Sequence, residues 1–309
     1  MFSYLIRKFF YILIVIFIVA TLTFIMARAI PGGPFTREKP LPEAVRKNVE
    51  ARYNLDKPIF VQYLNYMYNM IRFDFGPSFR YEALTVNDII KQTFPVSAIL
   101  GSVALSFALF FGLLLGTIAA LYQHKWQDSV LMLFSLVGVS IPSFILATFF
   151  MFTLGFQLKL FPVAGWGSIK HIFLPALTLS AYPMAFIAKT IRTNMLEVLS
   201  QDYIKVARAK GLPDRIVLFR HAIKNAILPV VTYLGPLIAG IFTGSFLVES
   251  IFAIPGLGKY FVSSIYDRDY TVILGVTIFY CILLVLLNFL VDISYSFIDP
   301  RIRVVTKNE

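Results

Sequence analysis

Cys281 is the only cysteine in 309 residues, which excludes a disulfide scaffold. Histidine is nearly as scarce, and His124, His171 and His221 are too scattered to make a structural zinc domain. Charge is the larger deficit. Asp, Glu, Lys and Arg supply 15% of the residues against 58% hydrophobic ones, where a soluble domain carries about 25% charge. A surface that poor in charge would expose apolar patches that aggregate, so the chain belongs in a bilayer. The same hydrophobicity excludes intrinsic disorder. The net charge of +11 does not indicate nucleic acid, because the basic residues alternate with membrane-length apolar runs and form no single basic face.

Catalytic signatures are missing as well. HExxH, GxSxG and paired intramembrane carboxylates do not occur. Gly256-Leu257-Gly258-Lys259 has the outline of a phosphate loop, but Ala253 and Tyr260 stand where that motif requires Gly and Ser/Thr, so no ATP site is expected there.

Six apolar runs have the length of about 20 residues that a spanning helix needs. They extend from Phe9 to Ala29, Val96 to Leu121, Val130 to Gln157, Ile172 to Ala188, Ile227 to Val248 and Thr271 to Ile293. Pro142, following Gly138, predicts a bend in the third, and Pro175 and Pro183 interrupt the fourth. The first run is longer than the core of a signal peptide and no small-x-small cleavage site stands out before Pro31, so it is read as a retained span. The central thirds of the six runs hold no Asp, Glu, Lys, Arg or His; Arg28, Lys189, Glu249 and Asp292 fall near predicted ends. Ion- and proton-coupled carriers place such groups at mid-membrane, which demotes secondary transport.

With the N-terminus inside, thirteen Lys and Arg fall on the inner side and four in the short outer loops. The positive-inside rule therefore places both termini in the cytoplasm. The segment 30–95 is then external. Pro42 and Glu43 open a predicted helix with Val45, Val49 and Tyr53 on one stripe, closed at Asn54. A second helix is predicted from Ile59 to Ile71, and Thr85-Val86-Asn87-Asp88 reads as a capping box for a short helix entering the second span. Tyr63, Tyr66, Tyr68, Phe73, Phe75, Phe79 and Tyr81 give the segment an aromatic surface suited to the membrane interface. It is either a cap on the spans or a substrate contact.

Small residues recur at helix-contact spacing: Gly112-x-x-x-Gly116 in the second span, Gly235-x-x-x-Ala239 and Gly240-x-x-x-Gly244 in the fifth. They mark either helix packing within the chain, a subunit interface or the lining of a path.

The inner connection from Thr190 to Ala226 reads as helix, break, helix. Met195, Leu199, Tyr203, Val206 and Ala209 follow helical spacing, Gly211-Leu212-Pro213 stops the run, and Ile216, Leu218, Phe219, Ala222 and Ile223 begin another. Arg208, Lys210, Arg215, Arg220 and Lys224 surround the break. Such a basic stretch can hold anionic lipid, but two hinged helices with an apolar face also suit insertion into a groove of a protein partner.

Here the chain resembles a known family. Val206-Ala207-x-x-x-Gly211 is similar to the EAA loop of permease subunits of binding-protein-dependent ABC importers. Lys205 stands where the general pattern has Glu, Lys224 where it has Pro, and the proline of Ile227-Leu228-Pro229 arrives later. That departure, with the ARAKGL run from Ala207 to Leu212, is typical of the peptide and nickel branch. Further matches are Pro31-Gly32-Gly33-Pro34-Phe35-Thr36, Asp74-Phe75-Gly76-Pro77-Ser78-Phe79, Ile141-Pro142-Ser143-Phe144, Leu174-Pro175-Ala176-Leu177, Ile254-Pro255-Gly256-Leu257-Gly258, Arg268-Asp269-Tyr270 and Asp299-Pro300-Arg301-Ile302-Arg303. The first two of these elements are closest to the oligopeptide permease B subunits, rather than dipeptide or nickel permeases.

The resemblance implies an all-α, multi-pass protein of the bacterial inner membrane with the type I (MetI-like) importer fold. Residues 1–29 would form the inner N-terminal end and first span, 30–95 the external segment, 96–293 the permease core with its coupling loop at 190–226, and 294–309 an inner tail. It implies a homologous second permease, two ATPase subunits and an external peptide-binding protein as partners, besides lipid. ATP and Mg would be bound by the ATPases, with no cofactor or metal in this chain. Docking and coupling would fall to Val206, Ala207, Arg208, Ala209, Lys210, Gly211, Leu212, Pro213, Arg215, Leu218, Phe219, Arg220 and His221. The expected function is half of the path of an oligopeptide importer; a dipeptide, nickel or other small-solute permease and a self-sufficient carrier are the alternatives.

Overall fold

A computed structural model describes residues 2–29, 55–81 and 83–298, with backbone alone at 2–5, 243–244, 292 and 294–298. Its described elements are helices: α1 (Phe2–Ala29), α2 (Ile59–Ile71), α3 (Val86–Leu121), α4 (Trp126–Ser140), α5 (Ser143–Phe150), α6 (Ile169–Ser200), α7 (Asp202–Ala209), α8 (Asp214–Ile216), α9 (Ile223–Ala226), α10 (Leu228–Gly244), α11 (Phe246–Ile251), α12 (Leu257–Asp267) and α13 (Tyr270–Ile298). π-Helical turns cover Met151–Gln157 and Val217–Ala222. Helices suit a bilayer, because a helix satisfies its own backbone groups where water is absent.

Among the described residues, five helical stretches are long and apolar enough to cross a membrane: Ile6–Ala29, Val86–Leu121, Ile169–Ser200, Leu228–Ile251 and Tyr270–Val291. The sixth expected span is a bent pair, Trp126–Ser140 with Ser143–Gln157, at 112°. Its cause is local. Pro142 lacks an N–H, and its ring pushes Ile141 out of the helical region to φ −89°, ψ 123°.

Several helix limits differ from those read in the sequence. α3 starts at Val86, ten residues before the predicted span, because the capping box opens straight onto it. Thr85 Oγ1 accepts from the Asp88 N–H at 3.1 Å, and Asp88 Oδ2 accepts from the Thr85 N–H at 3.1 Å. α6 runs through Pro175 and Pro183 as far as Ser200. The single helical run expected from Met195 to Ala209 is broken at Gln201, whose backbone is extended (φ −69°, ψ 149°). α2 has the predicted limits. The helix predicted from Pro42 to Asn54 and the motifs at 31–36 and 299–303 lie outside the described residues.

The chain forms two compact units that do not follow its linear division. One comprises Met1–Val96 and Gly256–Val285, the other Ser97–Pro255 and Leu286–Glu309, so two of the three boundaries fall inside continuous helices, α3 and α13. In the first unit, Phe24 of α1 meets the rings of Tyr63 and Tyr66 of α2 at 5.4 and 5.6 Å, and Val86 and Ile89 pack with Leu257, Val272 and Val276. In the second, α6 is the central element: Ile187, Ile191 and Met195 are buried with Ala108 and Ala120 of α3 and with Ile204, Ala207, Val217 and Ala222 of the connection that follows.

Candidate functional site

The connection that follows α6, residues 201–227, is a closed motif packed on that helix. The C-terminus of α7 ends in a Schellman arrangement: the Leu212 N–H donates to Ala207 O at 3.4 Å and the Gly211 N–H to Arg208 O at 2.9 Å. Gly211 takes φ +78°, and a Cβ there would meet nothing within 4 Å. Glycine is therefore required by the left-handed backbone and not by space. Pro213 then caps the next turn, accepting from the Ile216 and Val217 N–H groups at 2.8 and 3.2 Å.

Burial divides the loop into two faces. Ile204, Ala207, Val217 and Ala222 turn inward onto Ile191 and Met195 of α6, and Leu218 packs partly against them. Phe219 is 68% exposed and Val206 52%, with Tyr203, Leu212 and Ile216 also exposed. Arg208, Ala209, Lys210, Gly211, Pro213, Arg215 and Arg220 are exposed around them, while His221 is half-buried. The Arg208–Asp214 ion pair, 3.5 Å long and exposed, spans the break and contributes little stability. Tyr203 Oη accepts from Asn225 Nδ2 at 2.8 Å, and Asn194 Nδ2 of α6 donates to Ala226 O at 3.4 Å, which ties the two arms to each other and to α6. The face left outward is apolar with a basic rim, a surface able to bury itself in a partner.

A cavity of about 250 Å³ lies in the same unit. Gly138 and Ile141 of the bent pair, Tyr182 and Pro183 of α6, and Tyr233 and Gly240 of α10 are among its walls, and no Asp, Glu, Lys, Arg or His lines it. Three proline-disturbed stretches, at Pro142, Pro183 and Pro236, meet around it.

The small residues separate by role. A Cβ on Gly112 would come within 2.8 Å of Ile187, and one on Gly116 would run into the Ala188 carbonyl, so this pair lets α3 lie against α6. Gly235 is held against Asn288 in the same way, and Ala239 is buried. Gly240 faces open space in the cavity wall. Gly244 ends α10.

Two carboxylates acquire a setting that their sequence positions do not announce. Glu249, near a span end, is fully buried, and its Oε1 accepts from Ser97 Oγ at 2.7 Å and Ser245 Oγ at 2.6 Å. Asp128 pairs with Arg192 across α4 and α6. Neither stands in a motif, and a spacing of 64 residues between Asp128 and Arg192 carries no local signal.

Comparison with known proteins agrees with this architecture. The profile described as "Binding-protein-dependent transport system inner membrane component" matches residues 112–304, and that described as "Binding-prot-dependent transport system membrane comp, N-term" matches residues 1–101. The dipeptide transport system permease protein DppB of Bacillus subtilis (strain 168) is 48% identical over 304 residues, covering 98% of this chain and 99% of that protein. The oligopeptide transport system permease protein OppB of Salmonella typhimurium is 44% identical over 290 residues, covering 93% and 95%. Among solved structures, an inward-facing form of the MetNI methionine ABC transporter superposes with TM-score 0.55 at 15% identity, over 68% of this chain and 96% of that chain. At that identity the likeness speaks for the fold alone.

Proposed function

The chain belongs to the family of binding-protein-dependent transport system inner membrane components, and from that premise we propose that it is a permease subunit of an ATP-driven oligopeptide importer. It supplies half of the path, pairs with a homologous permease, and docks on the cytoplasmic ATPases through the loop from Val206 to His221. An external binding protein delivers the peptide. Both termini lie in the cytoplasm, as the distribution of Lys and Arg argues.

The observation that carries the docking role is the two-faced loop. Its inner face is already satisfied against α6, so Val206, Ile216 and Phe219 remain as apolar area for a partner. Ile216 and Phe219 lie exposed on the arm that follows the Gly211 turn. ATP favours one arrangement of the ATPases, and a docked loop turns that preference into opening of the permease pair to one side or the other. A cavity with no Asp, Glu, Lys, Arg or His among its described lining residues suits peptides of varied side chains, recognised through their backbones.

Phe219→Asp tests the docking. Burying a phenylalanine is worth about 1.5–3 kcal/mol, so ATPase subunits should be lost from the purified complex while the permease stays in the membrane. Normal ATPase retention would overturn the docking role.

Dipeptides are the second reading, favoured by the 48% identity to a dipeptide permease. Uptake competition between dipeptides and pentapeptides by the reconstituted complex with its own binding protein separates the two.

A further inference from the structure

Asp128 and Arg192 make a bidentate pair: Arg192 Nε lies 2.5 Å from Asp128 Oδ1, and an Arg192 Nη lies 2.6 Å from Oδ2. Their side chains are 7% and 25% exposed, whereas the ion pairs Lys205–Asp202 and Arg208–Asp214 lie open to solvent. Asp128 is the third residue of α4 and also accepts from the His124 N–H at 3.3 Å, so the carboxylate sits in the first turn of the helix, where its charge suits the helix dipole.

The location matters more than the strength. A shielded ion pair adds little net stability, because the desolvation of two charges offsets their attraction; a bidentate fork fixes orientation. On α6, Arg192 follows Ile191 and precedes Met195, the two residues on which the inner loop rests. At the other end of α4, Gly138 and Ile141 form part of the cavity wall. The 13 residues from Asp128 to Ser140 make a rod of about 20 Å at 1.5 Å per residue. At its far end Gly138 approaches the Ala181 carbonyl of α6 through bare backbone, a close contact without a charged tie. The pair is thus a polar link between α6, which carries the loop and walls the cavity with Tyr182 and Pro183, and α4, which supplies the wall at Gly138 and Ile141.

We propose that Asp128 and Arg192 are positioning residues that make α4 follow α6, so that movement of the docked loop reaches the cavity wall at Gly138 and Ile141. The inference rests on the docking role assigned above to the loop.

The test uses the full complex in proteoliposomes, with its ATPases, second permease and binding protein, and reads peptide taken up per ATP hydrolysed. Asp128→Asn and Arg192→Gln are each expected to keep their ATPases and to lower peptide per ATP about tenfold, within the usual range of coupling between sites. The double variant Asp128→Asn/Arg192→Gln removes both charges together, so neither is left shielded without its partner, and the same loss is expected in it at unchanged thermal stability of the complex. Wild-type peptide per ATP in the double variant overturns the proposal. A loss confined to yield or melting temperature overturns it too, since the pair is then only a brace. Failure of the docking role itself is read separately, as normal ATPase retention in Phe219→Asp.

Discussion

Ser78 donates a 2.5 Å hydrogen bond to Asp269, 191 positions further along the chain. The same Asp269 Oδ2 accepts from the Phe79 and Arg80 N–H groups at 3.1 and 3.2 Å, while Oδ1 accepts from Thr271 Oγ1 and the Val272 N–H at 2.9 and 3.2 Å. One buried carboxylate therefore ties the Asp74–Phe79 turn to the start of α13. This gives a physical reason for two sequence elements, Asp74-Phe75-Gly76-Pro77-Ser78-Phe79 and Arg268-Asp269-Tyr270, that otherwise look unrelated.

Replacing Asp269 by Ala strands buried donors, each worth about 1–3 kcal/mol. Thermal unfolding of the purified complex should shift down in Asp269→Ala and less in Ser78→Ala. Because the two residues share one bond, the double variant should lose less than the sum of the singles. Additive losses would contradict the anchor.

Gly116 and Gly240 should respond oppositely to a methyl group. Gly116→Ala drives a Cβ into the Ala188 backbone and is expected to cost about 1–3 kcal/mol by overpacking. Gly240→Ala meets open space and should leave stability unchanged while altering peptide uptake through the narrowed cavity. Melting curves and uptake assays on both variants check the contrast.

At Gly211 the demand is conformational. Asn tolerates the left-handed region, whereas a branched side chain there costs about 1–2 kcal/mol. Gly211→Asn should keep ATPase binding and uptake near wild type, and Gly211→Val should lose ATPase or hydrolyse ATP without moving peptide. Equal behaviour of the two variants would refute the role of φ +78° in shaping the loop.

Topology is open to thiol labelling. In a Cys281→Ser background, a cysteine at Lys259 should react with an impermeant reagent from outside intact cells, and one at Arg215 should not. Labelling of Arg215→Cys would reverse the assigned orientation.

Uptake should persist when the proton gradient is collapsed at maintained ATP. Asp128 and Glu249 are buried, but each is held by donors and neither lines the cavity. Loss of uptake under those conditions would favour a proton-coupled carrier.

Much of the site was legible because its signals are local. The Thr85–Asp88 capping box, the break at Pro142 and the turn at Gly211 each arise within a few residues, through side-chain sterics and backbone bonds that do not need the rest of the fold. Leu218 and Phe219 mark where that reading stops. Both belong to one predicted apolar helix, yet Leu218 packs against the core and Phe219 stands out, because a π-helical turn over Val217–Ala222 resets which side chains face α6. Leu218→Asp would thus injure the fold, and only Phe219→Asp reads the docking face.

The sequence by itself determined that this chain lives in a membrane, that a helix starts at the Thr85–Asp88 box and a span bends at Pro142, and which family it resembles. Composition, capping and proline geometry are properties of neighbouring residues. Only the tertiary structure decided which of the small residues are contacts and which is a wall, that Asp128 meets Arg192, and that Asp269 gathers the 74–79 turn. Those outcomes depend on helices distant in sequence lying side by side, and a glycine or a carboxylate acquires its role only from what the other helix brings within a few ångströms of it.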